Sequence, residues 1–191
     1  MPDKKKKLES SFLNMLIVLT VISLVSAFAL GFTYTKTKPV ADKVAQKKLE
    51  DAIKLVVPDF DRLGEKFKVE GFERLDLYTA YKGDAVVGTA VKTVSEKGFS
   101  GDVWIMVGLD GTGKVHNTQI LEHKETPGLG TKLSVPKFKD QVNGKDLQTF
   151  KLSVKKDGGE IDAITAATIS SRAFCDAVQK AYDAYQKGGV K

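Results

Sequence analysis

The chain has 191 residues and a formal net charge of +6, with 42% hydrophobic and 28% charged residues, which suits one globular domain with an appendage. Its single cysteine, Cys175, excludes an intramolecular disulfide and any metal site built from several cysteines. The spacing of the two histidines, His116 and His123, is weak for a metal pair, so we predict no metal site. Cys175 stands among small and apolar residues, which indicates a buried hydrophobe rather than a reactive thiol.

The first element is an apolar segment behind a block of lysines. Residues 4–7 are all lysine, and residues 10–35 carry no charged side chain. A helix needs ~20 apolar residues to cross the bilayer core, so residues 10–35 are long enough for a transmembrane helix. The alternatives are a buried core helix and a cleaved signal peptide with a candidate site at residues 26–29, although a signal core usually has only ~7–15 residues. We predict an uncleaved, single-pass anchor in the cell (inner) membrane.

The lysines around this segment predict its orientation. A lysine block before the first helix favours a cytoplasmic N-terminus, so we expect residues 1–9 to form a basic cytoplasmic tail. Lys36, Lys38 and Lys43 follow the segment and reduce the charge asymmetry. We still expect the N-terminal block to dominate, which puts the main domain on the extracytoplasmic (periplasmic) side.

Residues 36–58 follow with the spacing of an amphipathic helix. Apolar side chains recur every three to five positions over residues 44–56, with lysine and aspartate between them. Pro39 suits the first turn of such a helix, and Pro58 explains its end. We predict a stalk helix that packs against the following domain; a basic helix lying on lipid headgroups is the alternative.

From residue 75 the hydrophobic period changes to two, which is typical of strands. The predicted strands cover residues 75–81, 85–94, 102–109 and 114–122, with turns at residues 82–84 and 110–113. Successive strands without helices between them indicate an antiparallel meander rather than a parallel sheet. Residues 60–74 give mixed signals, and residues 150–154 alternate again.

A loop after the fourth predicted strand contains candidate binding residues. Pro127, Gly128 and Gly130 fix a tight loop within residues 123–132, and glycine allows the backbone to approach a ligand closely. The loop lacks the ending and the strand–loop–helix context of a phosphate loop. Taken alone, it also fits an ordinary surface loop with His123 hydrogen-bonded at its base.

A second candidate segment precedes the last predicted helix, residues 171–187, which has one broad apolar face. Residues 162–170 combine threonine, serine and alanine. Hydroxyls before a helix can cap it, and the free N–H groups of a helix start favour an anion such as phosphate. On local composition alone, an ordinary N-cap with small packing residues is the simpler interpretation.

Taken together, these pieces resemble one family. The loop Glu125-Thr126-Pro127-Gly128-Leu129-Gly130 and residues 162–170, in this order behind one anchor, resemble the G subunit of the Rnf electron-transport complex. They are also similar to the related C subunit of the sodium-pumping NADH:quinone reductase. The resemblance covers nearly the whole chain. It implies an α+β fold: an N-terminal transmembrane helix and a stalk helix, then an antiparallel-sheet FMN-binding domain over residues 59–191 with a C-terminal helix.

The resemblance also implies a covalent cofactor. In the family, FMN is attached through a phosphoester bond to the last threonine of a Ser/Thr-Gly-Ala-Thr motif, which matches Thr168, and Ala166 stands where glycine is most frequent. A dedicated flavin transferase attaches it, with FAD as donor. The other residues implied to bind the cofactor are Glu125, Thr126, Pro127, Gly128, Leu129, Gly130, Thr131, Thr165, Ala166, Ala167, Ile169 and Ser170. No catalytic residue and no metal ligand are implied.

The implied function is electron transfer within a complex that couples ferredoxin oxidation and NAD reduction to the movement of Na⁺ or H⁺ across the membrane. The implied partners are the other membrane and peripheral subunits of the complex, the flavin transferase and the membrane itself, with no nucleic acid. Three other functions compete with this one. The first is that of the quinone-reductase relative, and the second is that of a membrane-anchored sensor or adaptor that binds a ligand without redox chemistry. The third is that of a free-standing extracytoplasmic flavoprotein for external electron transfer.

Overall fold

A computed structural model of the protein describes residues 11–188. The predicted basic tail, residues 1–9, lies outside this range. The chain divides into two compact units, Met1–Lys47 and Lys48–Lys191. The first unit is formed by most of helix α1, and the second contains the sheet and the remaining helices.

Helix α1 covers Phe12–Val56, and its most apolar stretch has a mean hydropathy of 2.5. This stretch is long and apolar enough to cross a membrane. Both the predicted membrane segment and the predicted stalk fall on α1. Pro39 lies inside α1 rather than in the first turn of a separate helix, which corrects the predicted boundary. A proline lacks the N–H that would donate one helical hydrogen bond, yet α1 continues on both sides of Pro39.

The second unit is built on a five-stranded antiparallel sheet whose strands follow chain order, which confirms the predicted meander. The strands are β1 (Arg62–Leu63), β2 (Asp76–Lys82), β3 (Ala85–Ser95), β4 (Val103–Asp110) and β5 (Val115–Glu122). Strand β1 was not predicted, because two residues are too few to produce a period in the sequence. Each longer strand begins or ends within about a residue of its predicted position.

One face of the sheet carries the main core. Alternate residues of β4 point to this face, as the strand period requires, and Val103, Ile105 and Val107 are fully buried there. They pack in one cluster with the C-terminal helix α3 (Thr168–Gly188), which contributes Phe174 and Val178. The sheet and α3 therefore form the layered α+β domain that the sequence predicted.

The opposite face of the sheet is covered by the last turns of α1. Ile53 and Val56 are buried against Met106 of β4. This contact confirms the predicted packing of the apolar stalk positions for this end of the helix. Gly108, also on β4, leaves room for the approach of the helix backbone, because a Cβ at Gly108 would overlap the carbonyl oxygen of Val56.

Short helices connect β5 to α3. The chain forms 3₁₀ turns at Gly130–Ser134, Asp140–Val142 and Lys155–Asp157 and one short α-helix, α2 (Pro136–Lys139). The alternation of residues 150–154 suggested a strand, but these residues do not join the sheet. An isolated bridge joins Val154 to Ile161. Phe150 and Leu152 are half-buried against the main core. The alternation therefore reflects the packing of an irregular segment.

Candidate functional site

Three segments meet at one end of the sheet. Strands β4 and β5 are antiparallel neighbours, so the turn at residues 98–101, before β4, and the loop at residues 123–131, after β5, lie at the same end. The first turn of α3 lies beside them, because Ser170 contacts the loop residue Glu125. Two of these segments were predicted as functional from the sequence; the turn at residues 98–101 was not.

Glu125 connects the three segments. Its side chain is buried, with an exposed fraction of 4% for the residue. The Ser170 hydroxyl of α3 donates a 2.5 Å hydrogen bond to Oε2 of Glu125, and the Ser100 backbone N–H donates a 3.3 Å hydrogen bond to Oε1. The Glu125 N–H donates to Nδ1 of His123 at 3.2 Å, which confirms that His123 is hydrogen-bonded at the base of the loop.

Two glycines pack directly on the Glu125 carboxyl group. A Cβ at Gly130 would lie 2.7 Å from Oε2 of Glu125 and 2.8 Å from Oγ of Ser170, and a Cβ at Gly98 would lie 2.7 Å from Oε1. Real Cβ atoms do not approach oxygen atoms so closely, so both positions require glycine. Gly130 was predicted to approach a ligand; it lines the cavity described below, and it also packs against the buried Glu125 side chain.

The rest of the loop is held by local hydrogen bonds. The Leu129 N–H donates to the Thr126 carbonyl oxygen at 3.2 Å, and the Gly128 N–H donates to Oγ1 of Thr131 at 2.9 Å. Gly128 has a φ of +76°, in the left-handed region that glycine adopts without strain. Leu129 remains partly exposed and lines a cavity together with the start of α3.

Helix α3 begins three residues earlier than predicted, at Thr168 instead of Ser171. The first helical hydrogen bond runs from the Ser171 N–H to the Ala167 carbonyl oxygen, at 3.0 Å. Alanine precedes the helix, so the predicted hydroxyl N-cap is wrong: Thr168 and Ser170 lie inside the first turn. The hydroxyl of Ser171 instead forms hydrogen bonds with the backbone before the helix. Its Oγ donates to the Ala167 carbonyl oxygen and accepts from the Ile164 N–H.

The turn before α3 depends on an unusual backbone conformation. Ala166 has a φ of 61°, and it is the one non-glycine residue with a positive φ in the part of the chain that the structure describes. Side chains at such a φ meet their own backbone, which costs roughly 1–2 kcal/mol. This conformation gives a physical reason for glycine at the corresponding position of the resembling family.

A cavity of about 330 Å³ lies between the three segments. It is lined by Phe99 of the turn, by Thr126 and Leu129 of the loop, and by residues 166–170 at the start of α3. Phe99, Leu129 and Ile169 expose 65%, 38% and 45% of their surface although they are large and apolar. Exposed apolar side chains gathered around a concave surface are typical of a ligand site.

The structure brings together most of the predicted site residues. Those that line the cavity are Glu125, Thr126, Leu129, Gly130, Ala166, Ala167, Thr168, Ile169 and Ser170. Pro127, Gly128 and Thr131 belong to the same loop but do not line the cavity, and Thr165 lines a different cavity of about 740 Å³ with Lys132 and Lys137.

Sequence reasoning missed Phe99 as a site residue. The only local signal was a large apolar residue between Gly98 and Ser100 in a turn, where polar residues are usual.

A charged network fixes α3 against the sheet near this site. Asp176 accepts hydrogen bonds from Ser95 Oγ at 2.7 Å and Lys97 Nζ at 2.6 Å, and Lys180 Nζ lies 3.0 Å from its carboxylate. Partial burial opposes ionisation of Asp176, but these donors outweigh it and lower the pKa of Asp176. The network holds the helix that carries Thr168 to the end of β3.

No group of three or more His, Cys, Asp and Glu side chains is placed to hold a metal ion within residues 11–188. The cavity offers an apolar wall, hydroxyl groups and the backbone N–H groups of the first turn of α3. An α-helix leaves these first N–H groups without helical acceptors.

Comparison with known proteins gives consistent results. Residues 98–183 match the FMN-binding domain family. The chain is 33% identical to the G subunit of the ion-translocating oxidoreductase complex of Methanosarcina acetivorans, over 89% of this chain and 92% of the relative. It is 32% identical to the G subunit of the same kind of complex in Shewanella piezotolerans, over 93% of this chain and 89% of the relative.

Among solved structures, the chain is similar to the C subunit of the Na⁺-translocating NADH-quinone reductase from Parabacteroides distasonis. The TM-score is 0.52 at 20% sequence identity, and the match covers 74% of this chain and 82% of that chain. At this identity the likeness supports the fold alone.

Proposed function

This chain belongs to the family of G subunits of ion-translocating oxidoreductase complexes, and from that premise we propose that it transfers electrons through an FMN bound covalently, by a phosphoester bond, to Thr168. The observation that carries the proposal is the position of Thr168. It is the first residue of α3 and lines the apolar cavity between the turn, the loop and the helix.

The residues of the cavity fit a flavin mononucleotide. Phe99, Leu129 and Ile169 offer exposed apolar surface to an aromatic ring system. The volume, about 330 Å³, is at the lower end of the range of small-molecule sites, and its open side leaves room for further atoms of the ligand. The free N–H groups and the dipole of the first turn of α3 favour the phosphate of a nucleotide attached to Thr168.

A bound FMN would supply the electron-transfer chemistry, and the protein residues would bind and orient it. The apolar side chains would exclude water from one side of the ring, and the tether at Thr168 would keep the cofactor in an extracytoplasmic domain, where a free nucleotide diffuses away. A threonine hydroxyl is a poor nucleophile on its own. Because no base is hydrogen-bonded to Thr168 within the described residues, attachment by a separate flavin transferase is consistent with the site.

We further propose that α1 anchors the chain with its N-terminus in the cytoplasm and the domain outside it. The lysines at residues 4–7 support this orientation. The complex would couple ferredoxin:NAD⁺ electron transfer to translocation of Na⁺ or H⁺, and the other membrane and peripheral subunits would be the partners of this chain.

The test is the mass of the intact chain after co-expression with a flavin transferase. We expect an added mass equal to one FMN less one water, yellow fluorescence that survives a denaturing gel, and complete loss of both in Thr168→Ala. Thr168→Ser keeps a hydroxyl at the same place and should retain part of the flavin.

A matched control is Thr149→Ala, which removes an exposed threonine hydroxyl in the same domain but outside residues 162–170. It should carry as much flavin as the parent. If Thr168→Ala keeps the parental flavin content, Thr168 is not the acceptor. If the parent itself gains no mass beside an active transferase, the proposal of a covalent FMN is wrong.

A further inference from the structure

We infer that Glu125 is a positioning residue. Its buried carboxyl group fixes the three segments that line the cavity relative to one another, and it is not itself a ligand of the cofactor. The inference concerns residues of the chain, and it rests on the proposed function only for the identity of the ligand that the cavity takes. It revises the expectation from the family resemblance, in which Glu125 binds the flavin.

The burial of Glu125 separates positioning from ligand contact. Glu125 exposes only 4% of its surface, whereas Leu129 in the same loop exposes 38%. Both carboxyl oxygens already have protein partners, Ser170 and Ser100. Glu125 borders the cavity, but only a small part of its surface is exposed for contact with a cofactor.

Each partner of Glu125 is the sequence neighbour of an exposed apolar side chain at the cavity. The Ser100 N–H, which bonds to Oε1, follows Phe99; the Ser170 hydroxyl, which bonds to Oε2, follows Ile169. One carboxyl group therefore fixes the backbone next to both of these side chains, although they are far apart in the chain.

The third wall belongs to the loop of Glu125 itself. Gly130 packs on the carboxyl group so closely that a Cβ would lie 2.7 Å from Oε2, and Gly130 follows Leu129. Ser100, Ser170 and Gly130 therefore share one relationship: each contacts Glu125, and each directly follows an apolar residue that lines the cavity. Contacts across 25 and 45 residues of sequence set the spacing of the three apolar side chains.

A buried carboxyl group is costly unless its oxygen atoms are hydrogen-bonded, so the loss of either partner is unfavourable. In residues 11–188, no lysine, arginine or histidine forms an ion pair with Glu125. Its contribution therefore depends on these two hydrogen bonds and on close packing. A glutamine has the same shape, with one oxygen for the Ser100 N–H and one amide group that can donate to Ser170 Oγ.

The experiment is hydrogen–deuterium exchange on the full-length chain in detergent, made without the flavin transferase, so that no cofactor contributes. We expect Glu125→Ala to increase amide exchange about tenfold in all three segments, residues 98–101, 126–131 and 168–171. Glu125→Gln should stay within about twofold of the parent, because it retains both hydrogen bonds.

Glu122→Gln is the matched control, because Glu122 is an exposed carboxyl group at the end of β5, in the same region of the chain. It should leave all three segments unchanged. An increase confined to residues 123–131 in Glu125→Ala would overturn the inference, since a local role predicts only that. If Glu125→Ala unfolds the domain, Ser170→Ala decides: faster exchange in both residues 126–131 and 168–171 supports the inference, and parental exchange in both overturns it.

A second measurement uses the chain after flavin attachment. Quenching of flavin fluorescence by iodide should be several-fold stronger in Glu125→Ala than in the parent and close to parental in Glu125→Gln, at equal flavin content. Equal quenching in Glu125→Ala and the parent contradicts the inference. A parent that acquires no flavin contradicts the proposed function instead, and the exchange experiment still decides the role of Glu125.

Discussion

Gly108 on β4 lies directly against the carbonyl oxygen of Val56, the last residue of α1, so a Cβ at Gly108 would overlap this backbone atom. A flexible side chain could move aside, but a backbone carbonyl at the end of a packed helix cannot move without displacing Ile53 and Val56 from the sheet. The absence of a side chain at Gly108 is therefore what allows the two elements to pack.

We expect Gly108→Ala to destabilise the domain by about 2–3 kcal/mol, as overpacking of a rigid contact does. Thermal unfolding followed by Trp104 fluorescence measures the loss. Gly111→Ala is the control, because a Cβ at Gly111 meets nothing nearer than a carbonyl oxygen at 3.4 Å. Equal stability of Gly108→Ala and the parent would show that α1 does not pack on β4 at this point.

Ala166→Gly should stabilise the protein. Relief of the left-handed conformation, φ 61°, gains roughly 1–2 kcal/mol, and the greater freedom of glycine in the unfolded chain returns roughly half of this. We expect a net gain of about 0.5–1 kcal/mol in denaturant unfolding. Ala163→Gly, at a residue without positive φ in the same segment, should instead destabilise. A loss of stability in both variants would contradict the strain at Ala166.

Cys175 should react only when the domain opens. Burial in the apolar core raises the pKa of the Cys175 thiol to about 12. At pH 8 about one thiol in 10⁴ is then ionised, and the thiolate is the reactive form. We expect iodoacetamide to label the native chain at least about 100-fold more slowly than the denatured chain. The chain has one cysteine, so the added mass reports this site alone; similar rates in both states would be inconsistent with its burial.

Asp176 should contribute stability that depends on pH. Its pKa is lowered in the folded protein because the donors Ser95, Lys97 and Lys180 outweigh the effect of burial. The stabilisation is therefore complete above the unfolded-state pKa, near 3.8, and is lost as the pH falls through the lower, folded-state value. We expect Asp176→Asn to cost about 1–2 kcal/mol at pH 7.

Unfolding curves of the parent and Asp176→Asn at pH 7 and at successively lower pH test this dependence. The difference between them should be full above about pH 5 and should shrink below 3.8. Asp183→Asn is the control on the same helix, because Asp183 is exposed and accepts one hydrogen bond, from Gln179. A difference that is constant down to pH 2 would contradict the stated role of the carboxylate.

Phe99 should shield the cofactor without being needed for its attachment. Phe99 lines the same cavity as Thr168, and it is 65% exposed. We expect Phe99→Ala to keep the parental flavin content and to increase iodide quenching of flavin fluorescence about twofold or more. Val135→Ala, at an exposed valine of the other cavity, is the control. Parental quenching in Phe99→Ala would exclude Phe99 from the cofactor environment.

The elements that the sequence predicted correctly have a local signal. The long apolar helix depends on an uncharged run, and strands β2 to β5 depend on a period of two that is interrupted by glycine-containing turns such as residues 110–113. The resemblance in the loop and in residues 162–170 pointed to the cavity, and most of the residues it implied do line that cavity.

The errors occurred where a local signal had more than one cause. Residues 150–154 alternate because an irregular segment packs on the core, and not because they pair in the sheet. The hydroxyl residues before residue 171 suggested a cap, but Ser171 bonds to Ala167 and Ile164, which allows the helix to begin at Thr168.

What the amino-acid sequence determined by itself was the order of the long apolar helix, the meander and the final helix, since hydrophobic period and turn residues act over a few positions. Only the tertiary structure decided that Glu125 is buried between Ser100 and Ser170, that Phe99 joins the cavity, and that Thr165 faces a different one. These are contacts between residues far apart in the chain, and their geometry depends on how the sheet and α3 pack. No periodicity in a single sequence contains that information.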